Sequence, residues 1–283
     1  MGTPACMQII VDLRPLRAIL LAVLLLAAPA HAEPRAPALA TPSQSAPPTD
    51  VATELAQLRQ ALFDEVPHLI TDRPKQKREW LARTRAALAA SGLAIDRPQL
   101  LVVADRNRRV EQMRLVLAQP QGEWDDLGGT KVSTGQVGRY DYFLTPTGVF
   151  LHTDAILDWR AEGSFNAHHV RGLGERGMRV WDFGWQPALR GWRSKTRVSK
   201  MRLLLHATDP ASLAHRLGRA ASKGCIRIPE AMNLFLDRHG ILDANYEEAA
   251  LHNPRFAAVL LPDRTPTPLA GNALVVFDSS EAR

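Results

Sequence analysis

Leu55, Leu58, Leu62 and Val66 recur at helical spacing and predict a helix starting near Val51, with Thr49 or Asp50 as its cap. A second helix is predicted from about Pro74 to Ala90, carrying Trp80, Leu81 and Leu88, with Gly92 to end it. From Leu100 the period changes. Leu100 to Ala104 is a short apolar run, Asp105-Arg106-Asn107 forms a turn, and Val110, Met113, Leu115 and Leu117 alternate as a second strand, so a hairpin is expected. Val132 to Gly135 and Thr145 to Phe150 read as strand-and-turn units. Leu203 to Leu205 is a buried strand leading into His206, and Leu274 to Phe277 is a last strand. Pro229 to Arg238 is a helix, with proline in the first turn where its missing N–H costs little. No internal repeat is visible. Many short strands with few helices predict a mainly β chain with flanking helices (α+β), a sandwich- or barrel-like domain preceded by a short helical segment.

The amino-terminal stretch has a different character. Arg14 and Arg17 precede an unbroken apolar run from Ala18 to Ala28, 11 residues long. A bilayer needs roughly 20. Pro29 breaks the run, and Ala30-His31-Ala32 is an A-x-A site, so residues 1–32 read as a secretory signal cleaved before Glu33. Met7 as the start would give this signal a more usual length. Residues 33–50, with five prolines among Ala, Ser and Thr, read as an extended linker. Residues 51–95 form the helical segment and 96–283 the catalytic domain. The leader removes two Arg and one Asp, so the formal charge of +6 becomes +5. An exported basic protein, periplasmic or wall-associated, meets anionic wall polymer or membrane surface first. Nucleic acid is not expected as a partner, since that compartment holds little of it and no binding motif is present.

Of the two cysteines, Cys6 leaves with the leader. Cys225 is then the sole thiol of an exported chain, where a free thiol is a liability. Its surroundings, Ser222-Lys223-Gly224-Cys225-Ile226-Arg227, suit a nucleophile. Gly224 permits close backbone approach, and the N–H groups of Gly224 and Cys225 can face a developing oxyanion. The positive end of the helix near Pro229, with Lys223 and Arg227, is expected to favour thiolate. The planar fork of Arg227 suits a substrate carboxylate. His206, held by a strand, is the candidate base, with a carbonyl from Ala207 or Thr208 to orient its ring. His168-His169 reads as a solvated loop pair, not a metal site. A small buried hydrophobe is the bland alternative for Cys225.

These residues resemble the signature of the L,D-transpeptidase catalytic domain (YkuD) family: His206, a loop, then Gly218-x-x-x-Ser222-Lys223-Gly224-Cys225-Ile226-Arg227-Ile228. Val132-Ser133-Thr134-Gly135 followed by Thr145-Pro146-Thr147-Gly148-Val149-Phe150 resembles the family's upstream motifs, and the resemblance spans about Leu100 to Phe277. It implies a β-sandwich-like fold and peptidoglycan stem peptides as substrate. The cysteine would attack the carbonyl of the third stem residue, release the terminal D-alanine and pass the acyl group to an amine, from a second stem or a protein lysine. Carried over by position, Cys225 is the nucleophile and His206 the base. Arg227 anchors substrate, Gly224 and Ser222 shape the oxyanion loop, and no metal or organic cofactor is implied.

Two positions depart from that pattern. Lys223 stands where the family usually has a second histidine, and Ala207 where a glycine commonly follows the first. Two rival readings follow: an L,D-carboxypeptidase using the same pair with water as acceptor, or a wall-binding protein of weak activity. Asp154 to Lys200, rich in Arg, Gly and Trp, is open between core and lid. Trp181 is expected in the core. Trp185 and Trp192, with His168, His169, Arg190 and Arg193, are left to either.

Overall fold

Asp50 caps the first helix, α1 (Val51–Glu65), its carboxylate accepting the Ala52 N–H at 3.4 Å. The computed structural model describes residues 50–192 and 197–281. The leader, the Pro-rich stretch as far as Thr49, and Arg193 lie outside the described residues. Helix α2 (Pro74–Ser91) begins on Pro74 and stops at Gly92, which adopts the left-handed conformation at φ 72°.

The predicted hairpin is β1 (Gln99–Asp105) against β2 (Gln112–Ala118), antiparallel from Gln99↔Ala118 to Asp105↔Gln112. With β3 (Asp125–Lys131), β4 (Gly148–Leu151) and the last strand β9 (Ala273–Phe277), it forms a five-stranded sheet ordered β3-β2-β1-β9-β4. Strand β9 enters parallel to β1 and antiparallel to β4. The second sheet is ordered β5-β6-β7-β8, from β5 (Trp159–Arg160), β6 (Arg179–Leu189), β7 (Val198–Ala207) and β8 (Ile226–Ile228). Helices α3 (Glu230–Arg238), α4 (Ala244–Ala250) and α5 (Pro254–Ala257) follow β8. The chain is thus α+β, mainly β with flanking helices.

Alternation along each strand explains the burial. Leu100, Val102 and Ala104 of β1 point into a core shared with Trp181, Leu203, Leu205, Ile226 and Ile228 of the second sheet, and with Leu58 and Leu62 of α1. Leu101 and Val103 point the other way, where Trp80 and Leu88 of α2 cover them. Both faces of β1 are therefore covered, which is why the strand reads as an unbroken apolar run. Trp181 is fully buried, whereas Trp185 is 64% exposed on the outer part of the β6–β7 ribbon.

A second framework is polar. The buried Arg179 guanidinium donates to Asp158 at 3.0 Å, Asp243 at 3.1 Å and Asp237 at 3.4 Å. Asn233 of α3 brackets the Arg179 backbone, accepting its N–H at 3.1 Å and donating to its carbonyl at 2.9 Å. His152 bridges Asp158 and the Leu242 carbonyl, each at 2.9 Å, and its ring stacks on Tyr246. Burial opposes charge on His152, but Asp158 and Asp243 outweigh it and hold its pKa above the ordinary value. His152, Asp158 and Asp243 are close enough to share a cation. The Arg179 guanidinium already supplies the positive charge between the two carboxylates, so the network reads as a structural tie between the second sheet and α3 and α4.

Candidate active site

The three sequence motifs meet at the edge of the second sheet. Strand β8 pairs parallel with β7, setting His206 directly beside Arg227. On its other side β8 is met by the Val132–Gly135 segment. The Ser133 N–H donates to the Arg227 carbonyl at 2.9 Å and the Arg227 N–H donates to the Ser133 carbonyl at 3.0 Å. The Ser222 N–H donates to the Thr134 carbonyl at 2.8 Å. Thr145 supplies the third link: its hydroxyl donates to the Gly224 carbonyl at 2.6 Å and accepts the Gly135 N–H at 2.9 Å.

Cys225 sits on the bend just before β8, half-buried and unpaired. Gly224 before it has φ 137°, and a Cβ there would fall 2.7 Å from the Met201 sulfur, so only glycine fits this approach. The thiol lies 3.6 Å from the Arg202 carbonyl on β7. Burial pushes its pKa above the ordinary thiol value, outweighing the Leu204 N–H and the Arg227 charge. The expected bias toward thiolate is therefore not found. The three residues of β8 and Pro229 separate Cys225 from the start of α3, and a helix-end charge fades within its first turn.

His206 lies within β7 and is buried. Its Nδ1–H donates to the Ala207 carbonyl at 2.7 Å, as the sequence led one to expect of Ala207 or Thr208, which assigns the lone pair to Nε2. Nε2 makes no hydrogen bond to any described residue. Burial and the neighbouring Arg227 charge lower the imidazole to about 4. The imidazole and the thiol are thus both neutral near pH 7, and no hydrogen bond joins them.

Arg227 is half-buried, its Nε has no partner, and no described carboxylate lies within ion-pair distance. Burial pushes its pKa down. A guanidinium with no described carboxylate partner beside both His206 and Cys225 has the donor geometry to take up a carboxylate. Ser222 is a bracket: its hydroxyl donates to the Cys225 carbonyl at 2.6 Å and accepts the Gly224 N–H at 3.0 Å. The Gly224 N–H is thereby spent and cannot face an oxyanion, contrary to expectation. The Cys225 N–H has no main-chain acceptor among the described residues. Lys223 is exposed and turns to Asp141, 3.9 Å away, and to the Tyr142 ring, so its charge is not among those acting on the sulfur.

Sequence reasoning missed the supports. Thr145 appears only as part of a motif, although it alone joins Gly135 to Gly224. Asp182, buried on β6, accepts from Arg202 Nε at 2.6 Å and braces the residue whose carbonyl meets the sulfur. Of the undecided aromatics, Trp192 packs edge-on against Phe143 and beside Tyr140. Phe143 in turn lies against Gly224, so Trp192 belongs to the rim of this site. His168 and His169 are exposed on the loop before β6.

No family model matches the chain, and no curated protein matches it. One similar solved structure is a fused Zn-dependent amidase/peptidase/peptidoglycan-binding domain-containing protein from Clostridium acetobutylicum ATCC 824. It is 12% identical, at a TM-score of 0.26, over 75% of this chain. This chain spans 66% of that one, and a likeness at this level carries no argument about fold or function.

Proposed function

We propose that the protein is an exported cysteine L,D-transpeptidase acting on peptidoglycan stem peptides. What carries the reading is the junction at Cys225: Thr145 holds the Gly224 carbonyl, Ser133 pairs with Arg227, and His206 stands beside Arg227. Motifs separated by scores of residues thus converge on the one thiol of the described chain.

In this reading Arg227 binds a carboxylate of the stem and sets the carbonyl of the third residue against the sulfur. His206 Nε2 takes the thiol proton as sulfur attacks, and the Cys225 N–H stabilises the oxyanion. Collapse breaks the amide bond. The D-alanine nitrogen leaves with the proton from His206, and a thioester remains on Cys225. An incoming amine then gives its proton to His206 and takes the acyl group, and His206 returns the proton to sulfur. No step asks for a metal.

Incubation of the mature protein with purified tetrapeptide-stem muropeptides, followed by mass, tests this. The expected products are free D-alanine and cross-linked dimers. Trimmed tripeptide stems without dimers would instead indicate water as acceptor. Stem binding with no product would reduce the protein to a wall binder.

A further inference from the structure

The mechanism leaves one buried acid unused. Glu111 lies in the turn between β1 and β2, is fully buried and has φ 43°, a conformation rare for a residue with a side chain. Its main-chain carbonyl accepts the Val132 N–H at 2.9 Å. Its carboxylate accepts the Thr134 N–H at 2.7 Å and the Thr134 hydroxyl at 2.6 Å. Ser133, between them, pairs in the opposite direction with Arg227. Val132–Gly135 is therefore a segment bridged to the cysteine segment at Ser133 and Gly135 and held by Glu111 at Val132 and Thr134, through the glutamate's carbonyl and carboxylate.

We propose that Glu111 is a positioning residue for the thiol site, its carboxylate holding Thr134 so that Ser133 and Gly135 are aligned on the Arg227 and Thr145–Gly224 side of Cys225. The line of contact is continuous: Glu111 to Thr134, Gly135 N–H to Thr145, and Thr145 to the Gly224 carbonyl. The placement of the Cys225 N–H depends on how that carbonyl is held, because the two belong to one planar peptide. Strained backbone at a site edge is a feature that surrounding structure must support, and here it turns two acceptors to one side.

Titration of the same group follows from its setting. Burial raises the carboxyl from 4.5 to about 7, with the Thr134 hydrogen bonds opposing and Asp105 and Asp278 adding to the rise. The charged groups acting on it are Asp105 on β1 and Asp278 after β9, the latter paired with Arg106; Arg108 and Arg109 precede it in the chain, and Lys131 lies opposite its neighbour Gln112. The ionised carboxylate accepts both Thr134 donors through charge-assisted bonds, whereas the protonated acid accepts the N–H and donates its own O–H to the Thr134 hydroxyl, both as weaker neutral bonds. The folded state keeps a proton that the unfolded chain releases, so the stability tied to this group is full below pH 4.5 and lost as pH rises through about 7.

The role rests on the thiol reading above, but its test uses only the reactivity of Cys225. The rate of Cys225 alkylation by iodoacetamide is measured from pH 5 to 9 for wild type and Glu111→Gln, with product formation on muropeptides in parallel. The expected result is a wild-type to Glu111→Gln rate ratio that rises about five-fold across a step near pH 7, the difference between a charge-assisted and a neutral bond. Glu111→Ala, if folded by circular dichroism, loses turnover through kcat with KM little changed. If it does not fold, the Glu111→Gln ratio still decides. A ratio flat with pH, or a folded Glu111→Ala with wild-type alkylation and kcat, overturns the role. A pH step in alkylation without any muropeptide product leaves Glu111 in place and removes the transpeptidase reading instead.

Discussion

Cys225→Ala is expected to eliminate D-alanine release and dimer formation from tetrapeptide stems while leaving the fold intact. The sulfur is half-buried and its hydrogen bond is a long one, 3.6 Å to the Arg202 carbonyl, so removing it disturbs little packing. The chemistry has no substitute nucleophile, and loss of a group acting as part of a unit costs on the order of 10³ or more in rate. His206→Gln is expected to fall nearly as far, because proton transfer and leaving-group protonation both run through Nε2. The pH dependence follows from burial. His206 is neutral above about 4, so turnover falls as pH drops toward that value and the imidazole charges. The thiol is held above its ordinary value, so alkylation without substrate keeps rising into the alkaline range and shows no thiolate plateau near neutrality. Residual turnover by Cys225→Ala, measured by D-alanine release, would remove the nucleophile assignment.

Arg179→Met is expected to have the largest effect on stability. It strips the common partner from Asp158, Asp237 and Asp243, all buried, and leaves Asp243 with His152 as its nearest positive group. Removing one partner from a buried ion network costs about 3–5 kcal/mol. For a domain of this size that lowers the melting midpoint by roughly 10 °C. Calorimetry or denaturant titration checks it, and a shift under about 2 °C would mean that the network contributes far less than its burial suggests.

The parts of this fold that bury an apolar stripe were legible from periodicity. Leu55, Leu58 and Leu62 announced α1, Leu100–Ala104 announced β1, and Leu203–Leu205 led to His206, because each pattern is local. Even the ring partner of His206 was within reach, since a carbonyl next in sequence is always near. Strand β3 was not legible. Asp125-Asp126-Leu127-Gly128-Gly129-Thr130-Lys131 has one large apolar residue, and it pairs through its backbone. Gly129 lies so close to β2 that a Cβ would fall 1.7 Å from the Met113 carbonyl oxygen, so glycine here marks close approach, not a turn.

The candidate site was legible as a set of residue types and not as a mechanism. Cys225, Arg227 and His206 stood out by chemistry. Their register, with His206 beside Arg227, depends on how residues 208–225 return the chain to form a parallel pair, and no local pattern encodes that. The sign of the thiol shift depends on burial, which charge counting around Cys225 could not supply. Thr145 and Gly224 are 79 residues apart, and Glu111 and Thr134 are 23 apart. Each pair is a buried polar match made only once the sheets are assembled.

The central claim is a covalent one, so the most direct measurement is the intact mass of the protein after brief mixing with a tetrapeptide-stem donor, followed by peptide mapping. The account predicts an adduct equal to the stem less its terminal alanine, mapped to Cys225, absent from Cys225→Ala and discharged by an added amine. A thiol that stays unmodified and alkylatable throughout, or an adduct mapped to any other residue, would contradict it.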